Sequence, residues 1–221
     1  MPKRTENTKE KKPSRALAAM LIVIGAAGFA ALSYIITVSG SVSWDDPVRE
    51  WFYSVRSPGL TTLMEGITNV GSWTTIALVV LLLLIYPATR NDLGFPALGA
   101  ALLTQAIKFM IKNLVDRPRP DASLFLVPES GFSFPSGHAF TSLAVYGIIF
   151  IFALCYLEKN GKRTALLIAS GILAIAIGIS RIYLGVHFPS DVAAGWCGAM
   201  FVCGFIMLVH PAVRDRLPDR S

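Results

Sequence analysis

The chain has 221 residues, of which 53% are apolar and only 15% charged, and its mean hydropathy is +0.57. Soluble domains carry about 25% charged residues, so this composition, laid out in long apolar runs, excludes an ordinary water-soluble protein and points to an integral membrane protein. The net charge of +6 invites a nucleic-acid partner, but the basic residues sit in tails and at the ends of apolar runs, where the positive-inside bias accounts for them.

Residues 1–15 read as a basic cytoplasmic tail, with Lys3, Arg4, Lys9, Lys11, Lys12 and Arg15. Residues 16–38 form a run of 23 without a charge, enough to cross a bilayer. Ser39, Gly40 and Ser41 would permit cleavage there, but the run exceeds a usual signal-peptide core, so an uncleaved anchor is expected. Residues 42–63 carry Trp44, Trp51, Phe52 and Tyr53 and read as a segment lying in the membrane interface. Further spans follow at 64–86, 94–115, 135–157, 164–184 and 190–210, and a short tail at 211–221. The expected fold is therefore all-α: a six-transmembrane-helix bundle over residues 16–210, with an interfacial segment after the first span. Six spans put both termini on one side. That side holds thirteen Lys and Arg against seven on the other, so both termini are expected in the cytoplasm. Cys155, Cys197 and Cys203 lie in apolar runs without metal or redox spacing and read as inert thiols.

Five of those seven outer cations lie in or beside three polar clusters at the ends of spans three to six. The clusters are KNLVDRPRP from Lys112, FPSGH from Phe134, and SRIYLGVHFPSD from Ser180. With this topology they share one membrane face. Ionisable groups at a membrane boundary are costly and read as functional. Lys112, Arg119 and Arg181 would gather around a compact anion, and phosphate suits them. Lys108, one turn earlier, reads as snorkelling to the interface. Arg117 reads as a contact to a lipid headgroup or to Asp116. Ser136-Gly137-His138 opens a helix whose free N–H groups would cradle an anion. Ser136 either caps that helix or donates to the anion. Asp191 lies four residues after His187, close enough to fix the ring's tautomer. Together these residues describe phosphoryl transfer: His187 as nucleophile, Asp191 as its partner, and His138 as acid and then base. No metal or other cofactor is needed, and Asp45 with Asp46 look too isolated to hold one.

The motifs resemble those of the type 2 phosphatidic acid phosphatase family, KxxxxxxRP, PSGH and SRxxxxxHxxxD. Here they stand as Lys112 with Arg119-Pro120, as Pro135 to His138, and as Ser180-Arg181 with His187 and Asp191. The resemblance implies a bacterial, multi-pass, metal-independent lipid phosphatase working through phosphohistidine. It implies His187, Asp191 and His138 as catalytic, and Lys112, Arg119, Ser136, Gly137 and Arg181 as phosphate-binding. Phosphatidylglycerol phosphate is the first substrate expected, ahead of undecaprenyl diphosphate, phosphatidic acid and diacylglycerol pyrophosphate. The alternatives are a lipid phosphotransferase with the same site and a non-enzymatic anion or lipid transporter. The expected partners are a lipid phosphate and the bilayer, with no nucleic acid.

Overall fold

A computed structural model describes residues 15–214. The expected cytoplasmic tails, 1–15 and 211–221, lie outside these residues apart from Arg15 and 211–214. Nine α-helices run through the described residues, and no strand forms among them. They are α1 (Arg15–Ser39), α2 (Asp45–Ser54), α3 (Pro58–Val70), α4 (Trp73–Ile85), α5 (Pro87–Thr89), α6 (Phe95–Val115), α7 (Gly137–Tyr156), α8 (Gly161–Tyr183) and α9 (Pro189–Arg214). A π-helical turn, Arg90–Gly94, joins α5 to α6.

Five units are long and apolar enough to cross a membrane: α1, the stretch Pro87–Val115, α7, α8 and the Pro189–His210 part of α9. The sixth candidate is the pair α3 and α4, which passes only when taken together and is bent by 47° at its break, the form of a broken span or a re-entrant loop. This corrects the expected second span, 64–86. The helix starts at Pro58, which suits a first turn because proline has no N–H to lose there. Gly71 ends α3, and the Ser72 hydroxyl restarts the chain by accepting from Thr75 N at 3.3 Å. Of the expected interfacial segment, only α2 remains as a separate helix. It begins with two aspartates, Asp45 and Asp46, which suit the positive end of a helix dipole.

Helix α7 is the centre of the bundle, packed by α6, α8 and α9. Its Phe140, Ala144, Val145 and Ile148 are buried in the main core. Half of its apolar window is buried, against 11% for α1, so α1 is peripheral. What stays exposed is still apolar, as at Phe109 (71%) and Leu114 (72%) of α6. Surfaces of this kind belong against lipid, because helices satisfy their own backbone there. Helix α1 meets α9 along a narrow seam of small residues. A Cβ at Gly25 would stand 2.5 Å from the Cys197 carbonyl, and one at Gly204 would stand 2.6 Å from the Ala18 carbonyl. The three cysteines are free thiols, and Cys203 is buried.

At one end of the bundle the polar segments interlock. The loop after α6 turns back on itself, with Ser133 N donating to Arg117 O at 2.9 Å. It then pairs with the loop after α8, through Leu126 N to Leu184 O at 3.0 Å. Ser136 N donates to Asp191 O at 3.1 Å, which ties the start of α7 to the start of α9. Arg56 donates to the Tyr183 carbonyl at 2.8 and 3.1 Å, and the Tyr183 hydroxyl meets Thr61 Oγ1 at 2.9 Å. Gly185 has φ +83°, and a Cβ there would stand 2.5 Å from the Leu124 carbonyl. These bonds position the three clusters read from the sequence.

Candidate active site

His187 lies in the turn between α8 and α9 and is 2% exposed. Its Nδ1 faces Asp191 Oδ2 at 3.3 Å, and its Nε2 faces Arg119 Nη1 at 3.2 Å. The spacing of four works because α9 begins at Pro189, so the chain folds back after Phe188. Phe188 N also donates to Asp191 Oδ2, at 2.9 Å, and fixes the carboxylate. An ionised carboxylate only accepts, so Nδ1 carries the proton and Nε2 keeps its lone pair. Burial pushes the imidazole pKa well below 6.5, and the charges of Arg181, Arg119 and Lys112 push the same way. A neutral ring whose Nε2 keeps its lone pair, here turned toward Arg119, is chemically able to act as a nucleophile.

Behind Asp191 lies a chain of buried charges. Arg117 Nη1 donates to Asp191 Oδ1 at 2.6 Å and to Ser190 Oγ at 2.8 Å. Its Nη2 donates to Asp45 Oδ2 at 2.8 Å, and its guanidinium lies 4.0 Å from the Phe188 ring centroid. Asp45 accepts in addition from Ser190 N at 2.8 Å and Ser190 Oγ at 2.6 Å. This differs from the sequence expectation at both ends. Arg117 is buried and pairs with Asp191 and Asp45 in place of a lipid headgroup or Asp116, and Asp45, read from the sequence only as too isolated to hold a metal, is its buried counter-ion. Removing one partner of such a pair strands the other in a low-dielectric interior.

In front of His187 the cations are held differently. Arg119 donates to the carbonyls of Ser130, Gly131 and Val186 at 2.8–3.2 Å. Lys112 donates to the Phe132 carbonyl. Arg181 donates to Thr68 Oγ1 at 2.9 Å and forms an ion pair with Glu129. Glu129 Oε1 also stands 3.4 Å from Arg119 Nη2, so one carboxylate bridges both arginines. Burial alone would raise its pKa, but the charges of Arg181 and Arg119 outweigh burial and hold it below the usual range. Arg181 Nε is buried with no hydrogen-bond partner among the described residues.

These groups surround a cavity of about 150 Å³. Lys112, Arg119, Gly137, His138 and His187 line it, five of the eight residues expected from the sequence. Asp191, Arg181 and Ser136 do not line it. Asp191 stands behind the His187 ring, Arg181 reaches the group through Glu129, and Ser136 is buried as the cap of α7. Its hydroxyl accepts from Ala139 N at 3.5 Å, which is the capping alternative. The His138 ring makes no hydrogen bond to a described residue and is open to the cavity. Lys108 also lines the cavity, contrary to the snorkelling expected of it. Sequence reasoning missed Asp45 and Glu129. The loop 116–134 holds three acids and two cations, so its composition gave no signal that singled out Glu129.

The PAP2 superfamily model matches residues 93–215, which hold all eight expected site residues. Asp45 lies outside that match. The chain is 33% identical over 173 residues to phosphatidylglycerophosphatase B of Bacillus subtilis, covering 76% of this chain and 84% of that protein. It is also 33% identical over 148 residues to decaprenylphosphoryl-5-phosphoribose phosphatase of Mycobacterium tuberculosis, covering 64% and 75%. Among solved structures, the transmembrane PAP2 type phosphatidylglycerolphosphate phosphatase of Bacillus subtilis superposes with a TM-score of 0.73 at 25% identity, covering 92% of this chain and 98% of that one. With its motifs in one family match, its helices in that family's arrangement and a histidine facing gathered cations, the chain belongs to the PAP2 superfamily and is a multi-pass membrane lipid phosphatase.

Proposed function

We propose that the chain removes the terminal phosphate of phosphatidylglycerol phosphate through a phosphohistidine intermediate. The observation that carries this reading is the orientation of His187, with Nδ1 on Asp191 and Nε2 toward Arg119. The terminal phosphoryl group enters the cavity between Lys112, Arg119 and the start of α7. Nε2 forms a bond to phosphorus as the bond to the lipid oxygen breaks, roughly in line. His138, protonated for this step, gives its proton to the leaving oxygen. The phosphorylated ring is cationic, and Asp191 stabilises it through the Nδ1 proton. His138, now neutral, then takes a proton from water. The water oxygen bonds to phosphorus, the phosphorus–nitrogen bond breaks, and His187 returns neutral. Arg119, Arg181 and the free N–H groups of α7 stabilise the charge on the equatorial oxygens. Arg181 does so once phosphate replaces Glu129. The chemistry is carried by side chains and needs no metal.

The name of the Bacillus subtilis relative supports phosphatidylglycerol phosphate; the name of the mycobacterial relative keeps a prenyl phosphate in view. The bias of Lys and Arg supports cytoplasmic termini and a site facing outward from the cell membrane, with residues 16–210 as the catalytic membrane unit.

The test is phosphate release by detergent-purified protein, wild type against His187→Ala, with EDTA present. The substrates are phosphatidylglycerol phosphate, phosphatidic acid, diacylglycerol pyrophosphate and undecaprenyl diphosphate. Release by wild type alone, with the highest kcat/KM on phosphatidylglycerol phosphate, is the expected result. A higher kcat/KM on another lipid replaces the substrate. Turnover by His187→Ala removes the phosphohistidine.

A further inference from the structure

The two oxygens of Asp191 are divided between a cation and the ring. Oδ2 accepts from Phe188 N at 2.9 Å and faces His187 Nδ1 at 3.3 Å. Oδ1 accepts from Arg117 Nη1 at 2.6 Å, so the guanidinium lies closer to the carboxylate than the imidazole does. An arginine so placed holds Asp191 still, and it also cancels the negative charge that Asp191 offers to His187. In the proposed reaction the phosphorylated ring is cationic. Burial and the charges of Arg181, Arg119 and Lys112 already oppose a positive ring. A neutral Asp191–Arg117 pair would give it nothing to set against them.

Asp45 restores the missing charge. It is 1% exposed and comes from α2, outside residues 93–215. Its Oδ2 accepts from Arg117 Nη2 at 2.8 Å and from Ser190 Oγ at 2.6 Å, and its Oδ1 accepts from Ser190 N at 2.8 Å. All three partners donate, and the start of α2 adds the positive end of a helix dipole, so Asp45 is held as a carboxylate. Two carboxylates against one guanidinium leave the set with one net negative charge, beside the His187 ring. Without Asp45 the set is neutral. Helix α2 is braced on the same turn from a second point. The Arg49 and Arg117 guanidiniums lie 4.7 and 4.0 Å from the centroid of Phe188, the residue after His187. Asp45 does not line the cavity in front of the ring.

We infer that Asp45 is a positioning residue of the reaction: it offsets Arg117, so that Asp191 presents a net negative charge to the His187 ring as the ring is phosphorylated. Its effect falls on bond making and leaves substrate binding alone. This rests on the phosphohistidine reading above and extends the catalytic apparatus to a helix that carries none of the three motifs.

The test compares wild type, Asp45→Asn, and Asp45→Asn combined with Arg117→Gln. The single variant makes the set neutral, and the double variant returns it to one negative charge. The value of kcat/KM is measured on whichever lipid of the panel above wild type turns over best. Inorganic phosphate, titrated as a competitive inhibitor, reports the front of the ring. Asp45→Asn is expected to lose roughly ten- to a hundredfold in kcat/KM, with the phosphate inhibition constant within about threefold of wild type. The double variant is expected to exceed Asp45→Asn by about threefold or more, a recovery that loss of a purely structural tie would not give. An Asp45→Asn rate within about threefold of wild type overturns the role. So does a parallel loss of phosphate affinity, which marks a distorted site, and so does a double variant no better than the single. A thermal melt in detergent shows which variants fold. Should Asp45→Asn fail to fold, the double variant decides: kcat/KM within about a hundredfold of wild type supports the role, and a larger loss overturns it. Failure of both to fold makes Asp45 a structural tie and overturns it too. Turnover by His187→Ala overturns the phosphohistidine and the Asp45 role together, whereas an inactive His187→Ala beside a normal Asp45→Asn removes Asp45 alone.

Discussion

The two sides of His187 are built on opposite plans. Behind the ring, Asp191, Arg117, Asp45 and Ser190 form a closed set, buried, with both carboxylates paired to one guanidinium. In front of it, Arg119, Arg181 and Lys112 are held by loop carbonyls and by Glu129, and the cavity between them is open. In the proposed reaction the rear fixes a proton and an angle, while the front exchanges partners as a phosphate enters and leaves. Acceptors that are easily replaced suit the front, and they would be a defect in the rear.

The comparison breaks most visibly at Asp191. Asp191→Asn is expected to keep the fold and to lower kcat by about a thousandfold or more, because the ring loses its preferred tautomer and its counter-charge. Near-normal turnover in a stopped assay would remove the rear from the mechanism. Arg117→Met leaves two buried carboxylates without a cation and should cost about 3–5 kcal/mol of stability. A thermal melt in detergent reads that cost, and an unchanged midpoint would mean the set is not closed. Asp45→Asn should fall between Arg117→Met and wild type.

Changes at the front are smaller and of opposite sign. Glu129→Gln removes a competing anion from two arginines, so inorganic phosphate or vanadate should inhibit roughly tenfold more tightly. Inhibition constants that stay the same or rise would make Glu129 a structural tie. The low pKa of Glu129 sets the window for this competition. The carboxylate stays ionised through neutral pH, and its hold on Arg181 is lost only as pH falls below the usual carboxylate range. For His187 the depressed pKa means that kcat/KM should show no His187 inflection at 6.5 and an acid limb well below it. Lys112→Met removes one of the cations that lower the His187 pKa and should move that limb upward; a limb that stays in place would show that Lys112 does not help hold the ring neutral. The smallest effect expected is from EDTA, which should leave the rate unchanged; a loss reversed by one specific divalent ion would overturn the metal-free chemistry.

The front was more legible in the sequence than the rear. Lys112, Arg119, His138 and His187 stand in short motifs, and long uncharged runs place those motifs at the ends of spans; of the rear, only Asp191 could be read, from its spacing of four to His187. Five of the six candidate spans could be read from such runs. The bent α3–α4 pair was harder, because the aromatic density of 44–53 drew the interfacial segment past Pro58. The rear is a pairing across long separations: Asp45 meets Arg117 over 72 residues and Ser190 over 145. No local pattern encodes that. An aspartate at the start of an amphipathic helix is ordinary until the fold brings a guanidinium to it. Glu129 was hidden for a different reason, since an acid in a polar loop has a solvated alternative at no cost.

The seam between α1 and α9 has a practical meaning for anyone who would exchange the first span. Hydropathy alone would let any run of similar length hold the chain in the bilayer. The backbone of α9 passes so close to Gly25 that a leucine there would collide with the Cys197 carbonyl. The same helix carries Asp191 in its first turn. A transplanted leader could therefore insert normally, pass every test of topology, and still misalign the helix whose first turn holds the carboxylate. The first span is a fitted part, with its own lock-and-key face, and an interchangeable anchor will not serve in its place.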